Sequence, residues 1–195
     1  MVSKDNLSVT KRNGRGKESL NIEKIHSMVG FATEGITGVS ASHVEMNSGI
    51  QFFDGIDTED IQQILIKSAN DLISLDNPNY QYVAARLLLF SLRKKLFHRL
   101  WEHPKFLDHI KLCVEKGMYD KDILVNYTEA EIDRLNGFID HERDYNFTYA
   151  GLRQVMDKYL VQDRSNGDIF ETPQFMYMMI ACLLYTSDAA DEEDS

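Results

Sequence analysis

The side chains best placed to do chemistry lie within the first twenty-six residues. Lys11 and Arg12 sit in the run Val9-Thr10-Lys11-Arg12-Asn13-Gly14, which reads as a strand entering a turn. Glu18 to Asn21 reads as the return strand, and Ile22-Glu23-Lys24-Ile25-His26 opens a helix. Lys11, Arg12 and Lys24 then gather on one side of the hairpin and the helix behind it, in a chain whose formal net charge is −10. Clustered cations that donate charge-assisted hydrogen bonds suit a polyphosphate. Lys94 is a fourth candidate cation, in the basic run Arg93-Lys94-Lys95. Val9, Leu20, Ile25 and Phe90 offer an apolar wall for a base, and Glu18 and Asn21 offer polar groups for its edge. The competing explanation is a solvated hairpin edge whose lysines discourage strand-to-strand association.

Other constellations are weaker. Gly14-Arg15-Gly16-Lys17-Glu18 has neither the spacing of a P-loop nor a Ser or Thr after its lysine, and Ser19 spoils a dinucleotide-type glycine pattern. His103 and His109 do not share a helical face. His141, between Asp140 and Glu142-Arg143-Asp144, reads as part of a surface charge cluster rather than a metal site. Met176, Met178 and Met179 read as core gap-fillers. Cys113 and Cys182 are too few for a disulfide framework or a zinc site, and read as buried thiols in a reducing compartment. No catalytic constellation is visible.

Charge is unevenly spread. Asp188, Asp191, Glu192, Glu193 and Asp194 supply five of the ten excess negative charges. Residues 1–30 carry six cations against Asp5, Glu18 and Glu23, a local excess of three positive charges. That excess fits a small anion and is too confined for a DNA-binding stripe. There is no apolar run of membrane-spanning length and no apolar signal-peptide core, so nucleic acid and membrane are not expected partners and a cytoplasmic protein is expected.

The elements that must hold these residues follow from pattern. Strands are expected over 7–12 and 18–21, with helices over 22–35 and from Ser40 or Ser42 to Ile50. Thr58 is expected to cap a helix carrying Ile61, Ile64, Leu65, Ser68 and Leu72. Asn77-Pro78 starts the next helix, running to about Phe97 with Leu88, Leu89, Leu92 and Leu96 inward and Arg93-Lys94-Lys95 as a basic shoulder. Residues 1–98 thus read as a β-hairpin lid over about four helices. After His103-Pro104 come an amphipathic helix from Phe106 to Lys116 and a capping box, Thr128 with Glu131, opening a helix to about Ile139. An aromatic-rich stretch, a strand over 159–162, a turn over 163–167 and an apolar helix from Phe170 to Leu184 complete the list. The class is α+β, mainly α. The run from Cys182 into Thr186-Ser187-Asp188-Ala189-Ala190-Asp191-Glu192 resembles a translated sequencing adapter, so residues 183–195 are expected to be non-native.

The run Val9 to Gly14, then Glu18, Asn21 and Lys24-Ile25-His26, resembles an ATP-cone, the nucleotide-sensing module at the N-terminus of many ribonucleotide reductases. Residues 50–56 (IQFFDGI), 80–87 (YQYVAARL), 138–144 (FIDHERD) and 158–162 (KYLVQ) resemble the large, alpha subunit of the aerobic class Ia ribonucleoside-diphosphate reductases. The resemblance covers about residues 7–182 and implies a cone over 1–98, then the start of the reductase N-terminal helical domain over 99–182. It implies an overall activity site for ATP and dATP, with magnesium accompanying them. Lys11, Arg12, Lys24 and Lys94 would meet phosphates, and Glu18 and Asn21 adenine. Val9, Leu20, Ile25, Ile61 and Phe90 would wall base and sugar, and Thr58 would add a polar contact. Gln62 stands where close relatives often have a sugar-contacting histidine, Phe31 stands where they have tryptophan, and the hairpin turn is one residue longer.

The resemblance also implies what this chain lacks. The thiyl-radical chemistry, its cysteine pair, the ten-stranded barrel and the specificity site at the alpha homodimer interface all belong downstream of residue 182. The radical is supplied by a separate di-iron beta subunit. No catalytic residue, catalytic cofactor or metal ligand is therefore expected here, and the chain alone is expected to be inactive. Two other cone-bearing classes compete. A transcriptional repressor of reductase genes would need CxxC pairs ahead of the cone, which are absent from the sequence. An anaerobic glycyl-radical reductase fits the residues after Leu100 less well.

Overall fold

The computed structural model describes residues 8–10, 16–49 and 54–193, with side chains described as far as Tyr185. Two compact units emerge: Met1–Ser91 with Tyr145–Leu152, and Leu92–Asp144 with Arg153–Ser195.

The first unit is a small sheet with four helices. Strands β1 (Ser8–Thr10) and β2 (Lys17–Ser19) are antiparallel, with Val9 opposite Glu18. A third strand, β3 (Ile56–Asp57), runs parallel to β1 with Val9 opposite Ile56, so the order is β2-β1-β3. The antiparallel pairing is as expected, with β2 at 17–19 rather than 18–21. β3 was not foreseen, because two residues are too few to show a period. Lys11 and Arg12, and the hairpin turn at Asn13-Gly14, lie outside the described residues.

Helices α1 (Ile22–Thr33), α2 (Ala41–Gly49), α3 (Thr58–Asp71) and α4 (Tyr80–Phe97) follow. Val29, Ala32, Val44, Leu65, Val83 and Leu89 are buried between them. Polar side chains fix the loops. Asn79 Nδ2 donates to the Thr37 carbonyl at 2.9 Å, and Arg86 Nη1 to that of Glu34 at 2.6 Å. The Tyr80 hydroxyl accepts from the Ser40 amide at 3.0 Å. Two expectations are corrected. α4 begins at Tyr80, because the Gln81 and Tyr82 amides reach back only three residues, to Pro78 and Asn79, so the proline lies in a lead-in turn. Arg93 is not part of an exposed shoulder: it is 2% exposed, while Lys94 is half-buried and Lys95 exposed.

The second unit is built around Phe106, Ile110, Ile132 and Phe175. Helix α5 (Phe106–Glu115) ends as expected at Gly117, whose φ of 69° is the left-handed geometry glycine tolerates. A short α6 (Ile123–Asn126) precedes α7 (Glu129–Asn136), whose Thr128–Glu131 capping box is formed. A 3-10 turn covers His141–Asn146, and α8 spans Tyr149–Lys158 where only an aromatic-rich stretch was read. The strand expected over 159–162 begins instead at Gln162: β4 (Gln162–Asp163) pairs with β5 (Asp168–Ile169) across the expected turn. Helix α9 starts at Pro173, not Phe170, and runs to Glu193. Among the described residues no helix is long and apolar enough to cross a membrane.

The expected surface cluster around His141 is corrected in part: Asp140, Glu142 and Arg143 are exposed, but the other two members are not. Asp144 is buried and His141 half-buried, its ring stacked on His103 at 3.7 Å. His109 is 2% exposed and lies against Phe175 at 4.4 Å between ring centres. Burial lowers the pKa of His109 and of His103 to about 4, and of His141 to about 3, the neighbouring Arg93 adding to the last two. Each imidazole is neutral in the fold and takes a proton when unfolded. Their stabilising contribution is therefore complete above about pH 6.5 and is lost as pH falls toward 4. Asp144 works the other way: burial pushes its carboxyl up to about 6, so the folded form protonates first. Burial raises the Glu171 carboxyl in the same way, so three histidines oppose two carboxyls and outweigh them. Acidification from about pH 6.5 to 4.5 is expected to lower the Tm of this unit, followed by fluorescence of Trp101. His109→Gln should reduce the slope by up to about one proton, roughly 1.4 kcal/mol per pH unit. An unaltered slope would contradict the assignment.

Candidate nucleotide site

The site residues of the first unit are set by how two helices leave the sheet. β2 passes through Leu20 and Asn21 into α1, and β3 passes directly into α3. The outer strands thus feed the N-termini of α1 and α3, on either side of β1. Unsatisfied amides and the helix dipole make such ends favourable to anions.

Asn21 is the N-cap of α1, its side-chain oxygen accepting from the Lys24 amide at 3.0 Å. That bond assigns the orientation of the Asn21 amide and leaves its Nδ2 as a donor facing outward. Lys24 is exposed in the first turn, while Ile25 beside it is buried. α3 is capped by Asp57 rather than Thr58: the Asp57 carboxylate accepts from the Glu59 amide at 2.9 Å. Thr58 becomes the first helical residue, half-buried. Sequence reasoning missed Asp57 because aspartate and threonine are both good caps and stood side by side.

The frame is tied by a second group that pattern did not reveal. The Asp54 carboxylate accepts from both the amide and the hydroxyl of Ser8, each at 2.7 Å. The Gly55 amide donates to the Ser8 carbonyl at 2.8 Å, and the Thr10 hydroxyl to the Gly55 carbonyl at 3.1 Å. Gly55 has φ 81°, so this turn needs glycine. The Ser8 bonds hold the Asp54 carboxyl below its ordinary value. The Asp54-Gly55 pair was the one available signal, a turn dipeptide ahead of a helix.

Val9, Ile25 and Ile61 are buried, and Glu18 and Leu20 half-buried. Gln62 is 3% exposed, and its Nε2 approaches Met28 Sδ at 3.7 Å, so its amide faces into the helices. Phe31 is 49% exposed on α1. Phe90 is fully buried and meets Tyr145 edge-on at 6.2 Å. Lys94 lies one turn beyond Phe90 on α4, within the second unit. Cys113 and Cys182 are buried free thiols, and burial pushes Cys113 up to about 11, so neither is an activated nucleophile. No cluster of three or more His, Cys, Asp or Glu among the described residues is arranged to hold a metal ion.

A three-stranded sheet and the starts of two capped helices together carry Glu18, Asn21, Lys24, Thr58 and Ile61. Residues 7–95 match the family described as ATP cone domain, and residues 145–195 match that described as Ribonucleotide reductase, all-alpha domain. The chain is 49% identical over 183 residues to the ribonucleoside-diphosphate reductase subunit alpha of Buchnera aphidicola subsp. Acyrthosiphon pisum (strain APS), covering 94% of this chain and 24% of that protein. It is 49% identical over 182 residues to ribonucleoside-diphosphate reductase 1 subunit alpha of Escherichia coli (strain K12), covering 93% and 24%. Identity to subunit alpha of Enterobacteria phage T4 is 42% over 185 residues, covering 95% and 24%. The chain belongs to the ribonucleoside-diphosphate reductase alpha-subunit family and corresponds to its N-terminal part. It spans about a quarter of the length of the curated relatives it matches. The all-alpha match after the cone does not favour the repressor alternative, and the diphosphate-reductase relatives do not favour the anaerobic one.

Asn21 permits a clean separation of roles. Asn21→Asp keeps a capping oxygen and so should leave the Tm nearly unchanged, whereas Asn21→Ala should cost about 1 kcal/mol. If the outward Nδ2 contacts ligand, the aspartate variant should still lose adenine-nucleotide affinity in a titration. Full affinity in Asn21→Asp would remove this residue from the site.

Proposed function

We propose that this chain is the regulatory N-terminal part of an aerobic ribonucleoside-diphosphate reductase alpha subunit, an enzyme making deoxyribonucleotides for DNA synthesis. Its cone, over residues 1–98, binds ATP or dATP as the overall activity site, with magnesium on the phosphates; residues 99–182 begin the helical domain. The observation that carries this reading is the pair of helix N-termini flanking β1, one with Asn21 and Lys24 and the other with Thr58, Ile61 and Gln62.

The chemistry is complementary. A carboxylate at Glu18 accepts from the adenine amino group, while the outward Asn21 Nδ2 donates to a ring nitrogen. Val9, Leu20, Ile25, Ile61 and Phe90 supply apolar surface for base and sugar. Thr58 adds a hydroxyl, and Gln62 takes the sugar-side position. Lys11, Arg12, Lys24 and Lys94 neutralise phosphates. In the full-length protein the partners are a second alpha subunit and a di-iron beta subunit, in the cytoplasm. The radical chemistry belongs to the rest of the protein, so this segment senses nucleotide without turning it over.

Calorimetric titration of the 195-residue chain with ATP and with dATP tests the proposal. Losing one charge-assisted phosphate contact should cost roughly 1.5–3 kcal/mol, tenfold or more in affinity. Lys24→Ala should show that loss, and Lys11→Ala/Arg12→Ala a larger one. A folded wild-type chain that binds neither nucleotide would refute the regulatory role.

A further inference from the structure

Glu171 is 1% exposed in the second unit, yet among the described residues no lysine or arginine pairs with it. Asp144, also buried in this unit, has Arg93 at 3.8 Å. Both Glu171 oxygens accept hydrogen bonds. Oε1 takes the Val161 amide at 2.7 Å and Oε2 the Tyr119 hydroxyl at 2.5 Å. The Tyr119 oxygen lies 3.3 Å from His109 Nε2. A neutral His109 with its proton on Nε2 donates to that hydroxyl, and the hydroxyl donates to Glu171. Accepting on both oxygens is the pattern of a carboxylate, since a protonated acid has to donate from one of them. A carboxylate has about four acceptor positions, of which two are used here. Burial works against the charge and raises the pKa, with the two hydrogen bonds opposing it. A buried charge left without a counter-ion is costly.

Beside Glu171 is a cavity of about 420 Å3, within the size range of small-molecule sites. Met176 and Met179 form buried parts of its wall, with Tyr127 half-buried and Tyr159 60% exposed. Asp120 and Asp122, both exposed, line it as well, and among the described residues no Lys, Arg or His does. Aromatic faces attract cations, thioethers pack against alkyl stems, and a cleft lined by one sign of charge concentrates ions of the other. The exposed aspartates alone would be a solvated rim. The buried carboxylate without a counter-ion is the feature that points to a ligand, because a cationic guest supplies what the fold omits.

We propose that this cavity binds an organic cation, a primary ammonium or guanidinium on a short apolar stem, with its charged head toward Glu171. The head can belong to a free amine or to a lysine or arginine side chain, and its chemistry is the same in both. The site is independent of nucleotide binding by the cone.

Amide resonances of the 195-residue chain, followed as n-butylammonium chloride is added at constant ionic strength, test this, with n-butanol as the uncharged control. The ammonium should give saturating shifts at Tyr119, Val161 and Glu171, and n-butanol should bind at least about tenfold more weakly. Glu171→Gln keeps the side-chain volume and should weaken ammonium binding by about tenfold or more. Tyr159→Ala, at an exposed position, should weaken it about threefold. Absence of a saturating shift in the wild type overturns the proposal, and so does equal binding of n-butanol. Unchanged ammonium affinity in a folded Glu171→Gln overturns it too, or in Tyr159→Ala where the first variant does not fold. An N-acetylated, C-amidated Gly-Lys-Gly peptide separates the sources. Tighter binding than n-butylammonium assigns the site to a lysine side chain, and weaker binding assigns it to a free amine.

Discussion

The pairing of β1 on both its edges is the constraint on which the proposed nucleotide site depends. Val9 lies opposite Glu18 on one side and Ile56 on the other. Because β2 feeds α1 and β3 feeds α3, that single register fixes where Asn21, Lys24, Thr58 and Ile61 begin their helices. A sheet this short has few ladder hydrogen bonds of its own. Its hold comes from the Asp54 carboxylate on Ser8, from the Gly55 turn and from the buried side chains of Val9 and Ile56. A one-residue slip of β1 would turn Val9 to the opposite face and dismantle both helix entries together.

The site proposed for the cone takes its acceptor, Glu18, from β2, and its donor, Asn21, together with Lys24 from the start of α1. Gln62 is the local departure. Its amide turns inward toward Met28, so a polar contact to a sugar from this position requires its side chain to rotate. The second unit follows another logic. Its imidazoles are packed as aromatic rings, His109 against Phe175 and His103 against His141, and stay neutral because they are buried.

Much of this was legible in the chain. Apolar spacing located α1, α3, α4, α5 and α9, and the Thr128–Glu131 spacing located the α7 cap, because period and capping are local properties. The polar site residues Glu18, Asn21 and Lys24 were legible as types at a spacing, and the resemblance assigned their roles. What escaped notice was set by tertiary context. β3 exists through its partner β1 and has no pattern of its own. Asp57 rather than Thr58 caps α3 because β3 ends on it. Arg93 read as a shoulder cation, since burial of an arginine depends on a carboxylate fifty-one positions away in the chain. The helix at Tyr149–Lys158 follows the aromatic-rich stretch and carries an apolar stripe with Leu152 and Met156 buried, a pattern the sequence reading passed over.

The central claim, that adenine nucleotide binds between the α1 and α3 entries beside β1, is tested most directly by following backbone amide resonances while ATP is added. The account predicts shifts concentrated at Val9, from Glu18 to Ile25 and from Thr58 to Gln62. Shifts confined to residues of the second unit, or none at these positions, would contradict it.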